Sequence, residues 1–171
     1  YELWAKLQPH NITAHKELAG AYNQARFLDK ALEHMLIILN MNPTDFNAVS
    51  DIVDAYKEKN NFESAETLLK KYIDSFPENY KPYFELGQLY EKMGKFQKAK
   101  EQYEIVSLIE PNYNDLTLAM IETKFGEFDI AVNKLKSLYE NPKKTYQKYY
   151  ILRALADIYK VTGKLKKSIE F

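Results

Sequence analysis

Apolar residues recur along this chain at the spacing of an amphipathic α-helix. Tyr83, Leu86, Gly87 and Tyr90 fall at i, i+3, i+4 and i+7, so they share one helical face, and the pattern resumes at residues 96–106. The apolar spacing predicts no strand. It predicts helices at residues 1–8, 12–25, 28–41, 46–59, 62–75, 80–93, 96–109, 112–124, 127–140, 146–161 and 164–171.

The residues expected to begin and end these helices repeat every 34 positions. The period is clearest in four prolines, Pro9, Pro43, Pro77 and Pro111. A short polar side chain that can cap a helix follows two residues after the first three prolines, at Asn11, Asp45 and Asn79. Residues that accept the left-handed conformation at a helix end are Asn60, Gly94, Gly126 and Gly163. Arg26 occupies the same column and departs from this preference.

The repeated residues resemble the tetratricopeptide repeat, a 34-residue helix–turn–helix unit with the signature W-x2-L-G-x2-Y, A-x3-F and P. The third unit matches it best, with Tyr in the Trp and Phe places: Tyr83, Leu86, Gly87, Tyr90, Ala99, Tyr103 and Pro111. The resemblance implies an all-α fold, a right-handed superhelical α-solenoid of antiparallel helix pairs. Each unit of such an array buries its apolar face against the next unit.

We expect a single solenoid over residues 1–171. Its parts are the end of a preceding repeat at 1–11, repeat 1 at 12–45, repeat 2 at 46–79, repeat 3 at 80–111, an irregular repeat 4 at 112–145 and a truncated repeat 5 at 146–171. Two residues are missing from the period near 112–115, and three are added near 143–148, where Thr145 could cap a lengthened helix. This junction is either a local change in curvature or a specialised binding notch.

Composition argues against several classes of protein. Lys and Arg number 24, as do Asp and Glu, and this zero net charge argues against a general nucleic-acid binder and a polybasic membrane-surface protein. No apolar stretch has the length of a membrane span. The absence of Cys excludes a disulfide framework and a thiolate zinc site. No secretory signal is visible, and the lack of Cys leaves the compartment open, so the localisation stays unknown with the cytoplasm favoured.

The motif search predicts a chain without a catalytic site, a cofactor or a metal. Phosphate-loop, dinucleotide-binding, nucleophile-elbow and zinc-helix motifs are all missing. His10, His15 and His34 lack metal-ligand spacing, so we expect them to serve packing or surface roles.

Acidic residues recur on the first helix of each unit, which the resemblance places along a concave groove. Glu17, Asp51 and Glu85 are 34 residues apart, and Asp54 shares a helical face with Asp51. The predicted partner-binding residues are Glu17, Asp51, Asp54, Phe84, Glu85, Gln88, Leu116 and Met120. Phe84, Leu116 and Met120 among them are expected to form a small apolar patch. We expect a protein or peptide partner, basic or neutral with an apolar anchor, the alternative being ordinary solvated helix surface.

Some arrays of this family bind the acidic C-terminal tails of chaperones with Lys and Asn in one unit, Asn in the next, and Lys and Arg in the third. The matching positions hold Lys16, Gly20, Asp51, Lys81 and Glu85. Only the two lysines agree, and the two carboxylates would repel a tail. The resemblance therefore argues against chaperone-tail binding.

Positive charge is concentrated near the C-terminus. Residues 143–171 contain 8 Lys and Arg against 2 Asp and Glu, which leaves the preceding residues net negative. The predicted basic patch consists of Lys144, Lys148, Arg153, Lys160, Lys164 and Lys167. It could bind an acidic partner, anionic lipid or RNA, or simply aid solubility.

The leading function is a protein-interaction scaffold that binds a partner segment in its groove. One alternative is self-association, in which the array serves as an oligomerisation module. Another is a substrate-selecting region of a larger enzyme whose catalytic domain lies outside this chain.

Overall fold

The computed structural model describes residues 1–110, 115–140 and 148–163. Ten α-helices and no strand lie in these ranges: α1 (Glu2–Leu7), α2 (Ile12–Gln24), α3 (Leu28–Met41), α4 (Phe46–Glu58), α5 (Phe62–Ser75), α6 (Tyr80–Lys92), α7 (Phe96–Ile109), α8 (Asp115–Lys124), α9 (Phe128–Glu140) and α10 (Lys148–Val161). The predicted all-α fold of antiparallel helix pairs is confirmed. The predicted helix 164–171, Thr145 and the positions 112–114 and 143–147 lie outside the described residues.

The periodic polar residues begin helices as predicted. Asn11 Oδ1 accepts a hydrogen bond from the backbone N–H of Ala14 at 3.1 Å. Asp45 Oδ1 and Asn79 Oδ1 each accept from the N–H two residues further on, at 3.0 Å. These side chains satisfy N–H groups that have no partner within the helix, which stabilises the first turn.

Four helices end in turns of the same geometry. In each turn one residue, at position 26, 60, 94 or 126, has the left-handed backbone conformation. At the first, the N–H of Phe27 donates to the carbonyl of Tyr22 at 2.9 Å, and the N–H of Arg26 donates to Asn23 at 3.0 Å. This is the Schellman arrangement. Arg26 has φ +62°, so it adopts the same left-handed conformation as the other three residues, although this conformation is unfavourable for a residue with a Cβ atom. A backbone-only turn tolerates such a change.

Contacts divide the chain into two compact units, Tyr1–Leu89 and Tyr90–Phe171. In the first unit a buried cluster draws on α2, α3 and α4: Ala19, Ala31, Leu32, Met35, Ile52 and Ala55. In the second unit the corresponding cluster draws on α8, α9 and α10: Ala119, Ala131, Leu135, Leu138, Ile151, Leu155, Ile158 and Tyr159. Each core is thus completed by the first helix of the next pair, as expected of stacked repeats.

No helix in the described residues combines the length and apolar character that a membrane crossing requires.

Candidate protein-interaction surface

A cavity of about 320 Å3 lies between the first helices α2 and α4 of the first unit. Its polar lining consists of Lys16, Asn23, Asp45, Asn47 and Asp51, and its apolar lining includes Ala19, Met35, Ile38 and Ala48. Gly20 lies in the wall, and a Cβ built there would meet no atom within 4 Å. The glycine therefore leaves space open rather than allowing close helix packing. The cavity can take a side chain with an apolar stem and a polar or cationic head.

Asp51 gives this cavity its negative character. Partial burial raises the pKa of Asp51, and the carboxylates of Asp54 and Asp45 raise it further, while Lys16 acts in the opposite direction. Neither Asp51 nor Glu17 forms an ion pair within the described residues. A positive group placed here would relieve the repulsion among the carboxylates.

The other two predicted acidic residues, Asp54 and Glu85, share one ion-pair partner, Lys57. Its Nζ lies 3.0 Å from Asp54 Oδ1 and 3.0 Å from Glu85 Oε2, and Ser50 Oγ donates to Glu85 Oε1 at 2.9 Å. Burial opposes the charged form of Lys57, but the hydrogen bonds from Lys57 to Glu85 and Asp54 keep its pKa above the ordinary value. Glu85 thus joins α4 to α6 within the first unit. Lys57 offsets one of these two negative charges, while Glu17 and Asp51 form no ion pair with a described residue.

The predicted apolar patch is divided between the units. Phe84 is half-buried and Gln88 is exposed, both on α6 in the first unit. Leu116 and Met120 lie on α8 in the second unit, where Leu116 packs against the buried cluster and Met120 is 52% exposed. A shared patch of these side chains stays a prediction.

Three residues of the predicted basic patch lie on α10. Arg153 and Lys160 are exposed, whereas Lys148 is half-buried with its Nζ 4.9 Å from the centroid of the Tyr139 ring. Asp157 is exposed between Arg153 and Lys160, so the described face is not uniformly basic. Lys144, Lys164 and Lys167 lie outside the described residues.

The structure also pairs two histidines. His15 Nδ1 lies 2.9 Å from His34 Nδ1, and His15 Nε2 lies 3.1 Å from the carbonyl oxygen of Pro9. A carbonyl only accepts, so His15 carries its proton on Nε2 and its Nδ1 accepts from His34 Nδ1–H. Burial lowers the pKa of His34, and His15 adds to this effect. The described residues contain no group of three metal-ligating side chains.

Sequence reasoning missed Lys57 and the pairing of His15 with His34. Lys57 follows Asp54 by three residues, a spacing that predicts contact on a helix surface. Its second partner, Glu85, is 28 residues away, and that contact depends on how helices stack. The two histidines are 19 residues apart on different helices, so no local spacing indicates their contact.

Comparison with known proteins agrees with this architecture. The family model described as tetratricopeptide repeat matches residues 56–121. A crystal structure of the MamA protein superposes with a TM-score of 0.70 at 14% identity, covering 93% of this chain and 86% of that one. The tetratricopeptide-repeat protein YrrB, described as having an unusual peptide-binding site, gives 0.65 at 14% identity, covering 99% and 87%.

Two further proteins are similar to this chain. A kinesin-light-chain-like protein of Podosopora anserina with nearly identical TPR-like repeats gives a TM-score of 0.70 at 18% identity, covering 95% of this chain and 92% of that one. BBSome complex member BBS4 from Bos taurus is 29% identical over 139 residues, 80% of this chain and 26% of that protein. The chain therefore spans about a quarter of that relative's length.

Residues 56–121 therefore match the tetratricopeptide-repeat family, and the described helix pairs have the fold of solved tetratricopeptide-repeat structures. Arrays of this kind present extended surfaces for protein contacts, which makes protein–protein interaction the function class that the fold indicates.

Proposed function

We propose that this chain is a non-catalytic interaction scaffold that binds a basic or neutral segment of a protein partner at the cavity between α2 and α4. The observation that carries the proposal is the cavity itself, whose lining combines two carboxylates, two amides and the single ammonium of Lys16 with apolar side chains. An arginine or lysine side chain matches it, because the aliphatic stem can cover these apolar side chains while the cationic head faces Asp51. An aliphatic side chain of the partner would supply the second anchor.

The relatives support this kind of role. YrrB is described as having an unusual peptide-binding site, and BBS4 is named as a member of the BBSome complex. We propose the same class of activity here, with the groove residues Glu17 and Asp51 as the principal charged contacts. Asp54 and Glu85 contribute through Lys57, and Phe84, Gln88, Leu116 and Met120 are proposed as further contacts along the array.

The test uses labelled peptides of equal length that contain one leucine and either arginines, only neutral residues, or glutamates. Fluorescence anisotropy should give the tightest binding for the arginine peptides, weakening as salt rises. Asp51→Lys should reduce that affinity about tenfold or more, because it places a positive charge against the bound cation. Glu101→Lys makes the same charge change at an exposed position on α7 and should leave affinity unchanged.

Gly20→Leu separates binding from folding. A Cβ at this position meets no atom within 4 Å, so the leucine begins in open space, and replacing a glycine inside a helix should stabilise α2 by about 0.5–1 kcal/mol. We expect weaker peptide binding together with an unchanged or higher melting temperature. Equal affinity for arginine and glutamate peptides, or full binding by Gly20→Leu, would exclude the cavity as the site.

A further inference from the structure

A second groove lies on the other side of the helix pairs, between the second helices α3 and α5. It consists of a cavity of about 420 Å3 and an adjoining one of about 440 Å3, which share Leu36, Leu68 and Lys71 as lining residues. Leu39 and Phe76 extend the apolar lining of the first cavity. The first-helix cavity described above has none of these residues in its lining, so the two surfaces are separate.

The two shared leucines are exceptions within their own repeat columns. Leu36 occupies the position that holds Lys70, Glu104 and Lys136 in the following second helices, and all three of those are exposed. Leu68 occupies the position that holds His34, Gln102 and Lys134. Both apolar replacements fall on the walls of one groove, and Leu36 is 43% exposed. Leu68 is half-buried and also packs against the buried cluster of the first unit, whereas Leu36 is an exposed apolar residue at a position where the other pairs have a charged one.

The polar lining of the groove indicates the charge of its partner. Lys71 lines both cavities and makes no ion pair with any described residue, whereas its neighbour Lys70 is 2.7 Å from Glu66. Asn40 and Ser75 are the other polar residues of the 420 Å3 cavity, and Glu63 lines only the adjoining one. A carboxylate placed beside Lys71 would therefore gain a partner over an apolar surface.

The groove walls also indicate the backbone conformation of the partner. An extended peptide needs partners for its N–H and C=O groups, and this groove between two helices presents mainly apolar side chains. A helix satisfies its own backbone and can place side chains at i, i+3 or i+4, and i+7 into such a groove. The 14 residues of α5 give the groove a length of about 21 Å, which corresponds to about four turns of a bound helix.

We propose that this outer groove binds an amphipathic helix of a protein partner, with apolar side chains on Leu36, Leu68 and Phe76 and a carboxylate on Lys71. This surface is additional to the first-helix cavity, and neither depends on the other.

The experiment selects binders for the full chain from a phage library of alanine-rich helical peptides about four turns long, randomised along one face. The selected sequences should carry apolar residues at i, i+3 or i+4, and i+7 together with Asp or Glu. Leu36→Lys combined with Leu68→Gln should reduce their affinity at least tenfold. These changes install the residue types of Lys70 and Gln102, so the helical content should be retained.

Leu108→Lys is the matched control, because Leu108 is 82% exposed on α7 outside the groove, and it should leave affinity unchanged. Lys71→Glu keeps the apolar side chains of the groove and should reduce the affinity for the acidic peptides at least tenfold. This variant tests the proposal even if the double variant unfolds. Selected peptides that bind the variants as tightly as the parent, or that lack acidic residues, would overturn the proposal. So would sedimentation data in which the parent dimerises and the Leu36→Lys, Leu68→Gln variant does not, since the occupant would then be a second copy.

Discussion

The helix pairs α2–α3 and α8–α9 carry different chemistry at the same point of their contact. In the first pair, the rings of Tyr22 and His34 stack with centroids 5.7 Å apart and an interplanar angle of 4°. In the later pair the same two columns hold Glu122 and Lys134, whose Oε1 and Nζ lie 2.6 Å apart. An aromatic contact and a largely buried ion pair are therefore both accommodated by one backbone arrangement.

The two pairs share the features that set the backbone. Ala19 and Ala31 lie in the buried cluster of the first, and Ala119 and Ala131 in that of the second. The turn after the first helix is also the same, because the carbonyls of Tyr22 and Glu122 accept from Phe27 and Glu127 at 2.9 and 3.0 Å. Small residues and backbone hydrogen bonds fix the pair, which leaves the neighbouring side chains free to vary.

The largest effect should come from breaking the ion pair. Glu122 is 4% exposed, and its second carboxylate oxygen has no hydrogen-bond partner among the described residues. Lys134→Leu removes the partner of this buried charge and should destabilise the fold by about 3 kcal/mol. Urea denaturation monitored by circular dichroism would measure this change.

The comparison also predicts a rescue. Glu122→Tyr combined with Lys134→Leu installs the residues of the α4–α5 pair, Tyr56 and Leu68, and should recover at least the parent stability. If Lys134→Leu is as stable as the parent, the ion pair contributes little to the free energy of unfolding. The helix pairs α2–α3 and α8–α9 would then differ in composition but not in how they are stabilised.

An intermediate effect should come from the alanines that the two pairs share. Ala31 and Ala131 are fully buried in equivalent columns. Ala31→Leu and Ala131→Leu should each destabilise the fold by about 1–3 kcal/mol, because the helices cannot move apart to admit a larger side chain. Thermal melts of both variants would show whether one crossing is looser than the other. An unchanged melting temperature at either position would mean that the alanine is not required there.

The smallest effect should be a pH dependence confined to the first pair. Burial and His15 lower the pKa of His34, while Glu33 and Glu2 oppose the shift. The unfolded chain therefore binds more protons, and stability should fall as the pH drops below the ordinary histidine value of about 6.5. The relevant measurement is the difference in urea midpoint between the parent and His34→Gln at pH 7.5 and 5.5, which cancels the titration of other groups.

Hydrogen exchange should place that loss at α1, α2 and α3, because His10, His15 and His34 are the histidines of the sequence and all precede α4. Equal acid sensitivity in His34→Gln, or loss of protection first in α8 and α9, would assign it to other groups.

The helices and turns were predictable because their signals are local. The caps at Asn11, Asp45 and Asn79 and the left-handed positions at Asn60 and Gly94 act on backbone groups a few residues away. The candidate site was less predictable. Spacing places Asp51 on the first-helix face, but Glu85 has the same spacing, and its ion pair with Lys57 could not be predicted from the sequence.

By itself, the sequence determined the all-α repeat, the phase of its helices and the columns of small residues at their crossings. Periodicity, capping and turn chemistry act over at most a few turns of helix, so they can be recognised in the sequence alone. Only the tertiary structure decided which charges stay free, which histidines meet and where apolar columns open into a groove. Those outcomes depend on side chains that lie far apart in sequence and are brought together when successive helices stack.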